Sequence, residues 1–522
     1  MFIFDLLIFI LVLGVIIVIH ELGHFYFAKK AGILCHEFSI GMGPALYQKR
    51  KGETIYSIRS IPIGGYVSMA GEAINDALIK KEQVIGVRIN EQDQIYQIIL
   101  NSELSSDKVG IVKAFDLYGK DFNPLFITLD VDGKELTFQV LRDATYQLNE
   151  KKELWITPSE KSFENKTLWQ RFLVIFAGPA MNFILALLLY LIVGFFLFKP
   201  SLDSNVIDEI ATNGPADIIG LKQGDQIIEI DGIAVESWYD LSFAMGQLQT
   251  ATFDMKVQRN GINFSINEVP AVIFVQMAGI SNRTENGTIY TDEPIIGRAF
   301  GRAEKGEPLK IGDRITSIEI GLNVYPINHW NDIITVFTMH RSGEIKINYE
   351  RNTDSGIQSR SKTYDLISDT VLAKLGAQPM VFQIGVSPTS SFDLGYSILY
   401  APRAFYGNMR SVIVTLGLLF TPSARLGIRD LSGPIGIFSL VSSTASQGLL
   451  PILSFTAFLS INIGMLNLLP IPALDGGRLV FLGYEAITRK PLNKKFENTL
   501  NNIMFILLML LFVFVAFNDI FG

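Results

Sequence analysis

Apolar residues are unevenly spread along the chain. Four stretches, Leu6–Ala28, Leu173–Phe198, Gly448–Leu474 and Asn498–Asn518, each supply the roughly 20 predominantly apolar residues that a bilayer-spanning helix needs. The last three hold no charged residue. Between the first two, residues 35–70 read as strands. "TIYSIRSIPIGGYVSMAG" sets Tyr56, Ile58, Ile61, Ile63, Tyr66 and Val67 around Gly64-Gly65 and predicts a hairpin turned at the glycines. "PLFITLDVDGKELTFQVLRD" predicts a second hairpin, turned at Asp132-Gly133.

After the second span the pattern repeats. "GLKQGDQIIEI" (220–230) is echoed by "PLKIGDRITSI" (308–318), and Ser237-Trp238-Tyr239-Asp240-Leu241 by His329-Trp330-Asn331-Asp332-Ile333. The Gly-Asp pairs lie 88 positions apart and the tryptophans 92, which predicts two small domains in tandem. The x-L-x-x-G-D-x-I pattern resembles PDZ domains, with the second copy degenerate. Ser411–Phe420 is apolar but too short to span. Flanked by Arg403, Arg410 and Arg425, it predicts a segment along the membrane surface, and Leu431–Ile437 a Gly/Pro-broken approach to the third span.

Composition agrees with a membrane protein that has sizeable polar parts. The 522 residues are 49% hydrophobic and 18% charged, with mean hydropathy +0.32. A net charge of −7 argues against nucleic-acid binding, and a single cysteine, Cys35, excludes an intrachain disulfide. A signal peptide would carry its positive charge before the first apolar run; here Lys29 and Lys30 follow it. Further clusters, Lys49, Arg50 and Lys51, then Lys161, Lys166 and Arg171, then Arg478, Arg489, Lys490, Lys494 and Lys495, fall on one side of four spans. That side is expected to be cytoplasmic, with both termini and residues 199–447 outside.

The candidate chemistry lies inside the first span. "GVIIVIHELGHFYFAKK" contains H-E-x-x-H. On a helix His20 and His24 share one face and can hold a single Zn²⁺, while Glu21 points off that axis, where a general base reaches an attacking water. The alternative is that the histidines are packed core residues. Ionisable groups inside a span are costly, however, and three in five residues mark function. A catalytic zinc usually takes a third protein ligand. "NLLPIPALDGGRL" ends the third span and has one carboxylate, Asp475. It is the expected ligand, against a helix-capping role beside Gly476-Gly477. Pro470 and Pro472 interrupt helical hydrogen bonding there, which membrane-depth backbone tolerates where it is protein-buried or lines a wet cavity. His36, Glu37 and Cys35 are the other nearby candidates.

Together these residues resemble the site-2 protease family of zinc intramembrane metalloproteases, of the bacterial RseP/RasP type. His20-Glu21-x-x-His24 resembles its HExxH, and Asn467-x-x-Pro470-x-Pro472-x-Leu474-Asp475-Gly476 its NxxPxPxLDG, in which the aspartate is a zinc ligand. Gly41-Met42-Gly43-Pro44, "RSIPIGGYVSMAGE" and "FAGPAMNF" (176–183) match further family elements. The resemblance implies one Zn²⁺ per chain, held by His20, His24 and Asp475, with Glu21 catalytic. It implies an intramembrane endopeptidase acting on single-span membrane proteins already trimmed by an upstream site-1-type protease, such as anti-sigma factors and signal-peptide remnants. Substrate backbone is expected to meet Asn467, Pro470, Pro472, Asn182 and the Gly64-Gly65 hairpin.

The expected fold is a polytopic α-helical membrane protein with four transmembrane helices, a membrane-associated β-hairpin and extracytoplasmic tandem PDZ-like α+β domains. Its segments are transmembrane helix 1 (1–34), the hairpin region (35–71), a cytoplasmic β-rich insert (72–166), transmembrane helix 2 (167–199), the two PDZ-like domains (200–290 and 291–390), a membrane-surface region (391–447), transmembrane helix 3 (448–477), a cytoplasmic loop (478–497) and transmembrane helix 4 (498–522). The expected location is a bacterial plasma membrane. Two other classes compete. A catalytically idle scaffold would tolerate Glu21→Gln, and a metal transporter would show an inverted repeat among its spans, which the sequence lacks.

Overall fold

The computed structural model describes residues 2–71, 77–101, 103–150, 152–284, 286–300, 309–419 and 432–521. Pro308 of the second repeat, Phe420, Arg425 and Leu431 lie outside the described residues. The described α-helices are, in chain order, α1 (Phe2–Lys30), α2 (Leu168–Phe196), α3 (Pro215–Ile218), α4 (Trp238–Gln247), α5 (Trp330–Met339), α6 (Asp369–Leu375), α7 (Leu394–Leu419), α8 (Pro434–Ala445), α9 (Leu449–Asn467), α10 (Asp475–Thr488) and α11 (Lys494–Phe521). Four of them, α1, α2, α9 and α11, are long and apolar enough to cross a membrane. The chain divides into two compact units, residues 1–190 with 438–511, and residues 191–437 with 512–522.

In the first unit α1 runs into a long antiparallel hairpin, β1 (Cys35–Lys51) and β2 (Thr54–Met69). The chain reverses at Gly52-Glu53, between the paired Lys51 and Thr54, and not at Gly64-Gly65. β2 continues through both glycines, and Gly65 pairs with Ile40. The reason is space. A Cβ on Gly65 would lie 2.8 Å from the Ser39 carbonyl and 3.2 Å from Glu21 Cγ, so this pair lets a strand pass tightly by α1. Glu53 at the reversal meets Lys161 (2.7 Å) and Lys29 (3.4 Å), which fixes the hairpin against the end of α1.

The next six strands are β3 (Val84–Ile89), β4 (Ile95–Ile99), β5 (Lys108–Asp116), β6 (Leu125–Val131), β7 (Lys134–Gln147) and β8 (Glu153–Trp155). β3, β4, β7, β6 and β5 close into a five-stranded barrel, with β8 added to β7. An odd number of strands cannot close with antiparallel pairs alone, and β4–β7 is the parallel one. β6 and β7 turn at Asp132-Gly133, both at positive φ (51° and 80°), as a two-residue type I′ turn requires. Ile85, Val87, Ile95, Ile98, Val112, Ile127 and Leu129 fill the barrel.

The membrane-depth helices differ from expectation in two places. α9 ends at Asn467 rather than Leu474, because Pro470 and Pro472 carry no N–H to extend it. The following segment is not a loop: residues 475–488 form α10, which packs Leu482 into a core with Ala28, Phe38, Val67, Phe163 and Val174.

The second unit holds the repeat. Gln226–Ile230, Ile233–Ala234, Thr252–Arg259 and Ile262–Pro270 form one four-stranded sheet; Arg314–Ile320, Asn323–Pro326, Gly343–Thr353 and Gly356–Leu366 form another with the same strand order. Each carries one helix, α4 or α5, whose first turn is closed by Asp240 or Asp332 accepting from the backbone N–H of Ser237 or His329 (2.9 Å each). The two Gly-Asp turns are alike to the atom. Asp225 accepts from the Lys222 N–H (2.8 Å) and from Arg259 Nε and Nη2 (2.7 Å each); Asp313 accepts from the Lys310 N–H (2.7 Å) and from Arg351 Nε and Nη2 (2.7 Å each). The arginines extend the repeat past the sequence match. The segment expected to lie along a membrane surface contains a 26-residue helix, α7, followed by α8, whose start at Gly433 and Gly436 donates to the Asp519 carboxylate (3.0 and 2.9 Å).

Candidate active site

Two successive turns of α1 present His20 and His24 on one face, and α10 brings Asp475 to them as its first residue. All three side chains are largely buried. His20 Nε2 lies 3.2 Å from His24 Nε2, Asp475 Oδ2 lies 3.1 Å from the first and 3.4 Å from the second. His24 Nδ1 donates to the Val174 carbonyl at 2.8 Å, so its Nε2 carries a lone pair into this meeting point. Asp475 Oδ2 receives no hydrogen bond there. Three possible ligand atoms, Nε2 of both imidazoles and Asp475 Oδ2, therefore converge on one point.

The donor set fits zinc. Tetrahedral bonds of roughly 2.0–2.2 Å put ligand atoms about 3.3–3.6 Å apart, near the separations observed. Among the described residues, these three form the one cluster of histidine, cysteine and carboxylate groups spaced for a metal.

Local structure explains how the groups come together. The chain leaves α9 at Asn467, turns through two prolines, and passes Ala473 at φ 74°, an uncommon angle for a residue with a Cβ. The Ala473 N–H donates to Asn501 Oδ1 (3.1 Å). A Cβ on Gly477 would lie 2.7 Å from both the Ile471 carbonyl carbon and Pro472 Cα, so the Asp-Gly-Gly start of α10 folds back against its own approach. On the other side α2 comes so close that a Cβ on Gly178 would fall on both imidazoles, 2.8 Å from His20 Nε2.

A cavity of about 350 Å³ opens on the cluster, with His20, Glu21, His24, Tyr66, Asn467 and Asp475 in its wall. Asn182 is fully buried behind His20, with its amide nitrogen 3.3 Å from His20 Nδ1, and is not in the cavity wall. Gly65 abuts Glu21, Pro472 is half-buried and Pro470 exposed on the approach to Asp475. Glu37 is occupied elsewhere. It accepts from Ser57, from Arg59 Nη2 (2.7 Å) and from the Tyr66 hydroxyl (2.8 Å). Burial raises the Glu37 carboxyl, but these three donors outweigh burial and hold it below the ordinary range; burial and the Glu37 charge together push the Tyr66 hydroxyl up. His36 Nε2 meets Thr157 Oγ1 (3.4 Å) and Cys35 Sγ the Ile33 carbonyl (3.7 Å). A larger cavity, about 930 Å³, lies between the hairpin and the barrel, away from the metal cluster.

Sequence reasoning did not single out Tyr66 or Gly178 as site residues. Both stand inside quoted motifs, "IPIGGYVSMAGE" and "FAGPAMNF", but only the packing of β2 and α2 against α1 shows which members of each motif reach the cluster.

The profile of Peptidase family M50 matches residues 8–511. The chain is 32% identical to zinc metalloprotease RasP of Shouchella clausii over 99% of this chain and 98% of the relative. It is 31% identical to zinc metalloprotease RasP of Geobacillus kaustophilus (98% and 96%) and 30% identical to that of Oceanobacillus iheyensis (98% and 97%). Site-2 proteases, the members of this family, are zinc metalloendopeptidases that act on membrane-bound substrates in the bilayer. With two histidines of an apolar helix meeting an aspartate and this match across nearly its whole length, the chain belongs to Peptidase family M50, the site-2 proteases, and is a zinc metalloprotease.

Proposed function

We propose that His20, His24 and Asp475 are the three protein ligands of the zinc, and that Glu21 is the general base that cleaves peptide bonds within transmembrane helices. One observation carries the reading: three possible metal-ligand atoms meet at the wall of a cavity that also contains Glu21. Zinc bound there supplies Lewis acidity toward water and the scissile carbonyl. Glu21 takes the proton of the attacking water and returns it to the leaving amine. Asn467, in the same wall, offers its amide to the opened substrate backbone.

A transmembrane helix hides its peptide bonds in its own hydrogen bonds, so the substrate unwinds before it is cut. β2 passes the cavity at Tyr66 and Val67, and the unwound stretch adds beside it as a strand near Gly64-Gly65, with Pro470 and Pro472 shaping the other side. The basic clusters favour a cytoplasmic mouth for the cavity, with the barrel on the cytoplasmic side and the termini and repeat modules outside. The modules, with their Gly-Asp turns, are PDZ-like. They screen substrates by size, admitting single-span proteins already trimmed by a site-1-type protease, such as anti-sigma factors and signal-peptide remnants.

The test is Glu21→Gln in the full-length protein. The variant is expected to retain about one zinc per chain and to lose cleavage of a single-span transmembrane substrate by at least ~10³-fold. Residual cleavage near the wild-type rate would remove Glu21 from the mechanism.

A further inference from the structure

α2 faces the two histidines with a stripe of three residues four apart, Val174, Gly178 and Asn182. Gly178 gives the imidazoles room. The outer two meet the Nδ1 atoms: Val174 offers its carbonyl to His24 Nδ1 (2.8 Å), and the Asn182 amide lies 3.3 Å from His20 Nδ1. A histidine that gives Nε2 to a metal keeps its proton on Nδ1, so Nδ1 needs an acceptor. His24 has one. At His20 the nearer amide atom is Nδ2, a donor, while Asn182 Oδ1, fully buried, has no partner. With zinc on Nε2, two N–H groups would face each other.

An amide exchanges O and N by a half-turn with no change of shape. We propose that Asn182 presents Oδ1 to the His20 Nδ1–H in the zinc-loaded protein, and so is the positioning residue that fixes the tautomer and ring plane of His20. The exchange leaves Nδ2 where Oδ1 had no partner, a smaller cost than two opposed donors at His20. Two other roles fit less well. Asn182 has no exposed surface and is absent from the cavity wall, so it does not reach a substrate there. The contact that ties α2 to α9 at this level, Ser460 Oγ donating to the Asn182 carbonyl (2.8 Å), uses the main chain and leaves the amide for His20.

This inference rests on the ligand assignment above, and the test separates the two. Zinc affinity is measured by chelator competition on full-length Asn182→Leu, Asn182→Ala and Asn182→Asp, with the thermal stability of the metal-free protein alongside. Leu keeps the shape and removes the acceptor; Asp keeps the acceptor and removes the donor. Leu and Ala are expected to weaken zinc binding ~10–100-fold, and Asp to stay within about threefold of wild type. Wild-type affinity in Leu or Ala, or a loss in Asp equal to theirs, overturns the proposal. Asp475→Asn in the same assay reports on the ligand set alone: if it binds zinc as tightly as wild type, the assignment itself fails.

Discussion

Asp475 and Asp313 are both carboxylates taken out of solvent, and their surroundings are opposite. Asp313 is 1% exposed and meets a guanidinium fork and a backbone N–H, so its charge is matched by neighbours from its own module. Asp225 repeats that arrangement with Arg259. Asp475 is 13% exposed and faces two imidazole nitrogens, while its Oδ2 receives no hydrogen bond. A buried charge with its partners in place is structural. One whose oxygen has no hydrogen-bond partner and lies beside two histidine nitrogens is placed to ligate a cation. The same residue type is therefore matched inside its own module in one unit and set at the proposed metal site in the other, and the neighbours make the difference.

Exchanging Asp for Asn at both positions should separate the roles most strongly. Asp475→Asn is expected to weaken zinc binding by at least ~100-fold and to remove cleavage, while barely lowering the stability of the metal-free protein. Asp313→Asn strands Arg351, which is only 12% exposed. It should cost about 3 kcal/mol in unfolding experiments and leave zinc content unchanged. The comparison breaks if both variants lose stability equally and neither loses metal.

Glycine gives a second contrast. Gly178→Ala pushes a methyl group onto the imidazoles and is expected to lower cleavage ~10²-fold through displacement of the proposed ligands. Gly246 sits on α4 with nothing within reach of an added Cβ, so Gly246→Ala should raise stability by ~0.5–1 kcal/mol and leave cleavage as it is. Equal activity in the two variants would show that α2 does not crowd the site.

The smallest effect concerns pH. Burial raises the Asp225 carboxyl, but the Arg259 fork and the Lys222 N–H outweigh it and hold the group below its ordinary range. A depressed carboxyl contributes fully above its unfolded value, about 3.9, and that contribution is lost as pH falls through the folded value. Scanning calorimetry of the whole chain should show this contribution unchanged from pH 7 to 5 and declining below about pH 4, with a shallower decline in Asp225→Asn. An identical acid decline in the variant would show that Arg259 adds nothing to the turn.

Much of this is legible along the chain. The H-E-x-x-H spacing, the single carboxylate after the third apolar stretch, the repeated Gly-Asp pair and the four spans are local patterns, set by helix pitch, bilayer thickness and turn chemistry. What misread was local as well. Gly64-Gly65 looks like a turn because glycine pairs usually are; here they serve close packing against Glu21, and the reversal falls at Gly52-Glu53, where Lys29 and Lys161 hold it. Residues 478–497 look like a loop because they are polar, yet most of them continue α10, whose apolar side has a core to join.

Which side chains can bind metal and which segments are apolar enough to span follow from the order of residues, because residue chemistry and periodicity are properties of the chain. Packing in three dimensions is what sets Asp475, more than 450 positions from His20, 3.1 Å from it, lines the cavity with Tyr66 rather than Asn182, and completes the repeated turns with Arg259 and Arg351. Those partnerships depend on how helices and strands distant in sequence pack in space, and a pattern read along one dimension does not carry that distance.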